Sequence, residues 1–228
     1  MKDLQHLHAE HEESLREELI CHLPYAAFSV ALSFIMLALL SFFSMGLGAY
    51  GDGLREGYHV LFHAFHYVHL VFAIVGTVIS FMRFSNNIVR CAVISLISPA
   101  IFCTLSDVAL PALAGNILGL EVPLHICFFS LPDLANILPF MLVGLITGLA
   151  IVSHEHEGVL RVLSLRSHFV HICISSLAAS CYVMSYGFEE WHVVMGMLFL
   201  FLVVAVVVPC TISDLVVPWY FARIRAGK

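Results

Sequence analysis

The chain reads CTLSDVALP at residues 103–111 and CTISDLVVP at residues 210–218. Cys, Thr, Ser, Asp and Pro recur at the same positions of both stretches, although the surrounding sequence is apolar. A pair of histidines precedes each stretch, within HAFH at residues 63–66 and HFVH at residues 168–171. The first His lies 44 residues before the Asp in one case and 46 in the other. This agreement predicts two copies of one structural unit.

The composition is that of a membrane protein. Of 228 residues, 61% are hydrophobic and 11% are charged, whereas globular domains average about 25% charged residues. A transmembrane helix needs roughly 20 apolar residues, and the apolar runs predict six such spans. They lie near residues 23–47, 58–82, 91–114, 132–152, 168–187 and 192–221. The segments between them are too short for a folded soluble domain, which argues against a receptor with an ectodomain or an ATPase subunit.

Positive charge is distributed unevenly between the two sets of loops. Nine of the ten Lys and Arg residues precede span one, follow span six, or lie between spans two and three or four and five; only Arg55 lies in the other loops. By the positive-inside rule, both termini are predicted to be cytoplasmic, in a protein integral to the inner or cytoplasmic membrane. The net charge of −6 and the lack of a Lys/Arg-rich stretch argue against a nucleic-acid partner.

Three spans per copy is an odd number, so the second copy must cross the membrane in the opposite sense to the first. The predicted fold is therefore an all-α integral membrane protein with six transmembrane helices in a 3+3 inverted-topology repeat, an architecture that recurs in transporters. We divide the chain into a cytoplasmic amphipathic His/Glu-rich segment (1–22), a first three-helix repeat (23–118), an apolar extracytoplasmic linker (119–131) and a second repeat (132–228).

Two further features predict packing. Gly144 and Gly148 in span four form a Gly-x-x-x-Gly, which favours close approach of another helix. Seven cysteines occur without a Cys-x-x-Cys pair, so most of them are expected to be small buried hydrophobic residues.

The fourteen histidines outnumber the ten lysines and arginines. Ionisable groups within a bilayer are costly and mark ion paths or binding sites. One set shares the outer ends of spans two and three, with the histidines on a single helical stripe: His59, His63, His66, His69 and Asp107. A second set is placed by the repeat near the cytoplasmic ends of spans five and six: His168, His171 and Asp214. We therefore predict two related His/Asp sites, one near each face of the membrane.

Imidazole and carboxylate together suit divalent transition metals such as Zn, Fe, Mn, Co or Ni. Two histidines at i and i+3 can present nitrogen atoms to one ion, and an Asp from a neighbouring helix neutralises charge. The predicted cofactor is thus a divalent transition-metal ion. Secondary candidates lie one turn before each Asp, at the outer face, or after span four: Cys103, Cys210, His125, Asp133, His154, Glu155 and His156.

The leading interpretation is a membrane transporter of divalent transition-metal ions, in which protonation of His or Asp could couple release to a proton gradient. One alternative is an intramembrane metal-dependent enzyme, either a zinc hydrolase or a di-iron lipid oxidase, whose ligands would have to converge at one depth. Another is a haem-binding electron-transfer protein. A purely structural membrane protein would leave the buried acids without a role. The expected partners are the metal ion, the lipid bilayer and a second copy in a homo-oligomer.

Overall fold

The computed structural model describes the backbone of residues 2–48, 51–154, 157–187 and 191–223, and the side chains of residues 23–48, 51–154, 169–186 and 192–223. The described part of the chain contains helices and no strand. Six helical segments in it are long and apolar enough to cross a membrane. The prediction of an all-α fold with six helices long and apolar enough to cross a membrane is therefore confirmed for the described residues.

Eight α-helices and two π-helical turns form these segments. The helices are α1 (Lys2–Gly46), α2 (Asp52–Met82), α3 (Ile88–Thr104), α4 (Leu110–Ile117), α5 (Leu131–His154), α6 (Glu157–Gly187), α7 (Trp191–Thr211) and α8 (Val217–Arg223). The π-helical turn Leu105–Ala109 joins α3 to α4, and the π-helical turn Ile212–Val216 joins α7 to α8. The repeated motif thus has the same local structure in both places, a helix interrupted by a π-helical turn that contains the Asp.

Helices α2 and α6 form the centre of the bundle. The most apolar window of each is 67% buried, compared with 22% for α5 and 28% for the α3–α4 segment. Helix α2 packs along α6 and α5, and α6 also packs against α1. The outer helices expose large apolar side chains such as Phe42, Ile146 and Val193, as expected of surfaces that face lipid.

The contact between α5 and α2 depends on two glycines. A Cβ atom on Gly144 would lie 3.0 Å from the backbone oxygen of Val71, and one on Gly148 would lie 2.9 Å from Cβ of Val78. Larger residues at either position would therefore separate the two helices. The predicted close packing at the Gly-x-x-x-Gly is confirmed.

The segment between α4 and α5 folds back onto the helices. Gly119 has φ +84°, a left-handed conformation that favours glycine. Asn116 Nδ2 donates hydrogen bonds to the carbonyl oxygens of Ala112 at 2.8 Å and Val122 at 2.6 Å. A Cβ atom on Gly115 would lie 2.6 Å from Cγ2 of Val122. The linker therefore requires glycine at position 115, where it crosses the end of α4. This path buries part of the linker against the bundle.

Candidate metal centre

Four spans bring seven ionisable or thiol side chains together at one place in the bundle. We call them the central cluster: His66, His69, Cys103, Asp107, His171, Cys210 and Asp214. Each is at most 3% exposed. Groups of this kind are buried in a membrane protein only where they bind one another or a ligand.

Asp107 holds two histidines of α2. Its Oδ2 accepts hydrogen bonds from His66 Nδ1 at 2.8 Å and His69 Nδ1 at 2.6 Å, and its Oδ1 accepts from Ser106 Oγ at 2.9 Å and Ser175 Oγ at 2.7 Å. Because a carboxylate only accepts, each Nδ1 must carry its proton in this arrangement. In the neutral imidazole, Nε2 is then the atom with a free lone pair.

A second His–Asp pair comes from the other half of the chain. His171 Nδ1 lies 2.8 Å from Asp214 Oδ2, the same separation as that between His66 Nδ1 and Asp107 Oδ2. The sequence alignment of the two motifs matches His66 with His171 and Asp107 with Asp214. Gly76 of α2 makes room for this pair, since a Cβ atom there would lie 3.0 Å from Asp214 Oδ2.

His69 joins the two pairs. Its ring contacts that of His171, with centroids 4.4 Å apart and an interplanar angle of 60°. Its Nε2 lies 3.7 Å from Sγ of both Cys103 and Cys210. The side chains of both halves therefore meet around one imidazole.

The prediction of two sites near opposite faces is wrong for these residues. The predicted spans two and five begin with their apolar runs, at residues 58 and 168. Helix α2 begins earlier, at Asp52, and α6 begins earlier, at Glu157. His69 and His171 consequently lie near the midpoints of two helices that pack along each other, instead of at opposite ends.

Two of the predicted α2 histidines belong to a different group. We call it the peripheral cluster: His59, His63, His125 and Cys127. The rings of His59 and His63 have centroids 4.5 Å apart, and those of His63 and His125 are 5.7 Å apart. Asp133 Oδ2 lies 3.7 Å from His125 Nε2. The helical stripe on α2 is therefore divided between two clusters.

The linker is held in place beside this cluster by Tyr182 of α6. The Tyr182 hydroxyl donates to the carbonyl oxygen of Pro123 at 2.6 Å and accepts from the backbone N–H of His125 at 2.9 Å. Cys127 is buried as a result. Burial, assisted by the negative charge of Asp133, raises the pKa of the Cys127 thiol to about 12, so this thiol is protonated at neutral pH unless a cation displaces the proton.

Of the remaining candidates, only His154 has a described side chain, and it lies in neither cluster. His154 is exposed at the end of α5. Glu155, His156 and the side chain of His168 lie outside the described residues.

Four residues around the clusters were absent from the predicted site. Ser106 belongs to the repeated motif, and Ser175 lies one helical turn after His171. Gly76 lies two turns after His69, on the same face of α2, and Cys127 lies two residues after His125. Each of the four residues thus lies close in sequence to a predicted site residue. Many other small and apolar residues do so as well, and only contacts between elements show which of them lie at the clusters.

Among the described side chains, three sets present ligand atoms that lie within 4.8 Å of one another and could hold a metal ion. Two share His69 in the central cluster, His66/His69/Asp107 and His69/His171/Cys210. The third is His63/His125/Cys127 in the peripheral cluster. Nitrogen and sulfur donors of this kind bind Zn²⁺ and related transition metals. A haem does not fit between His69 and His171, because their rings are in direct contact and leave no space for a porphyrin plane.

Comparison with family models, with curated proteins and with solved structures finds no match for this chain. The fold and the clusters accordingly provide the grounds for assigning a function.

Proposed function

We propose that this membrane protein transports divalent transition-metal ions through the central cluster. The observation that carries the proposal is the pair of matched contacts, His66–Asp107 and His171–Asp214, each with 2.8 Å between Nδ1 and Oδ2. The two pairs come from matching positions of the repeated motif and meet at His69. In transporters built from inverted repeats, substrate sites lie near the membrane midplane where the repeats meet.

The chemistry of the donors supports a metal as the cargo. A metal-binding histidine commonly donates its other ring N–H to a carboxylate, which fixes the ring and makes the ligating nitrogen more basic. His66 and His69 both donate to Asp107. Asp107 and Asp214 would then orient the imidazoles, while Nε2 of His69 and the thiol of Cys210 face the ion.

The π-helical turns support movement at this site. Each widens the helix by one residue at the Asp, and π-helical turns often occur at functional sites. Pro111 and Pro218 follow the two turns and lack the backbone N–H that an α-helix requires. Both features lower the cost of rearranging the Asp-bearing segments. Alternating access to a closed site requires such a rearrangement.

Metal accumulation in cells tests the proposal. Cells that express the wild type should differ from empty-vector cells in their content of at least one first-row transition metal, measured by elemental analysis. Asp107→Asn and Asp214→Asn should each abolish that difference, because an amide cannot accept both imidazole N–H groups with a full negative charge. Asp52→Asn is the matched control, since Asp52 is exposed at the start of α2. Unchanged content for every metal would refute transport.

A second function is favoured by one observation, the convergence of ligands from four spans at a single place. An intramembrane metal-dependent enzyme needs such convergence, because one ion must activate a water molecule beside the substrate. Flux across sealed proteoliposomes distinguishes the two functions. A transporter moves the radioactive or fluorescent-indicator metal into the lumen, whereas an enzyme binds the metal and moves none.

A further inference from the structure

We propose that the peripheral cluster is a second metal site, in which His63, His125 and Cys127 bind a thiophilic ion of the Zn²⁺ type before it reaches the central cluster. This inference rests on the proposed function and identifies its substrate class. The three ligand atoms lie within 4.8 Å of one another. With metal–ligand bonds of about 2.0–2.3 Å, side-chain movements of about 1 Å would place all three on one ion.

The peripheral cluster is open to solvent where the central cluster is closed. The His125 side chain is 36% exposed, whereas His66 and His69 are fully buried. An ion approaching this end of the bundle would therefore reach the peripheral cluster before the central cluster. His63 lies one turn from His66 on α2, and the Phe62 ring stacks on His66 with centroids 5.5 Å apart. The two clusters are thus consecutive along one helix and separated by an aromatic ring.

Both clusters offer the same donor set. His63, His125 and Cys127 at the periphery correspond in type to His69, His171 and Cys210 at the centre, with two imidazoles and one thiol in each group. Thiolate with imidazole favours Zn²⁺ and copper over Mn²⁺ or Mg²⁺. An ion that suits one group suits the other, so transfer between them requires no change in ligand preference.

Contacts outside the ligands hold the peripheral group in position. Ser130 Oγ donates to Asp133 Oδ2 at 2.6 Å and accepts from the Asp133 backbone N–H at 3.1 Å. The carboxylate of Asp133 in turn faces His125 Nε2 at 3.7 Å. The Tyr182 hydroxyl fixes the backbone on the other side of His125. A negative charge and a fixed backbone beside two imidazoles favour cation binding.

The test is the zinc stoichiometry of the purified full-length protein, combined with a Co²⁺ titration in which thiolate ligation produces a near-ultraviolet charge-transfer absorption. Wild type should bind two Zn²⁺. Cys127→Ser and Cys210→Ser should each bind one, and each should lose about half of the Co²⁺–thiolate absorption. Cys173→Ser is the matched control, because Cys173 is half-buried on α6 outside both clusters, and it should bind two.

His125→Gln provides an independent variant, since this residue is partly exposed and its replacement leaves the core intact. Two Zn²⁺ bound by both Cys127→Ser and His125→Gln would overturn the inference. That result is separable from failure of the proposed function, because it would leave the effect of Asp107→Asn on metal accumulation intact. Conversely, loss of one Zn²⁺ in Cys127→Ser together with unchanged accumulation in Asp107→Asn would retain the peripheral site and refute transport.

Discussion

His69 of α2 and His171 of α6 lie in ring contact, with centroids 4.4 Å apart. His69 has no counterpart in the second half of the chain, where the matching position is Ile174. One imidazole therefore contacts the Asp and Cys of its own half as well as the His and Cys of the other half. The central cluster thus contains two matched His–Asp pairs and two matched cysteines, joined by a single unmatched histidine.

Ser175→Ala should weaken metal binding at the central cluster. The Ser175 hydroxyl donates to Asp107 Oδ1 at 2.7 Å, and loss of a partner of the orienting carboxylate should lower zinc affinity about tenfold and the free energy of unfolding by about 1 kcal/mol. Ser176→Ala is the matched control, because the Ser176 hydroxyl bonds only the Ile172 carbonyl oxygen one turn earlier in the described structure. Equal affinities of the two variants in isothermal titration would contradict this role.

Gly76→Ala should displace Asp214. A Cβ atom at this position would lie 3.0 Å from Asp214 Oδ2, so the carboxylate must move away from its 2.8 Å contact with His171. We expect at least about a tenfold loss of zinc affinity, although alanine is the better helix former. Gly196→Ala provides the comparison, because a Cβ atom there would meet nothing within 4 Å. Equal metal affinity and equal metal accumulation for the two variants would show that Gly76 does not support the site.

Gly148→Ala should destabilise the bundle without changing either cluster directly. The added Cβ atom would lie 2.9 Å from Cβ of Val78, and relief requires α5 to move away from α2. Overpacking of this kind costs about 1–3 kcal/mol, which a thermal unfolding measurement in detergent should detect as a lower midpoint. Gly196→Ala should show an unchanged or higher midpoint. An unfolding midpoint for Gly148→Ala at or above that of wild type would show that α5 and α2 accommodate the added Cβ atom without loss of stability.

Tyr182→Phe should loosen the linker and weaken the peripheral cluster selectively. The variant loses the hydrogen bonds to the Pro123 carbonyl oxygen and from the His125 N–H. We expect one of the two zinc sites to bind about tenfold more weakly, while the other keeps its affinity. Tyr186→Phe is the control, because it removes a hydroxyl group from the neighbouring ring, whose centroid lies 5.4 Å from that of Tyr182. Unchanged binding at both sites would contradict the role of Tyr182.

Both termini should lie on the cytoplasmic side of the membrane. Reporter fusions that are active only outside the cytoplasm should be silent after Lys228 and in the loop at residues 83–87, and active in the linker at residues 118–130. The physical reason is the concentration of Lys and Arg on one side of the membrane. An active fusion after Lys228 would contradict this orientation.

The sequence by itself determined the class of protein and most residues of the central cluster. In a bilayer, a helix satisfies the backbone polar groups of a long apolar run within the run itself, and polar residues inside such runs stand out against their surroundings. His66, His69, Asp107, His171 and Asp214 could be named for that reason. The repeated motif also predicted which residues correspond.

Only the tertiary structure decided how these residues are grouped. Periodicity assigns a residue to a face of its helix, but it does not give the offset of one helix against another, because helices α2 and α6 extend beyond their apolar runs. That offset places His69 beside His171, and it places His63 beside His125 and Cys127 of the linker. Cys127 and Gly76 matter for the same reason: a thiol in a loop and a missing Cβ atom acquire a role only when another segment packs beside them.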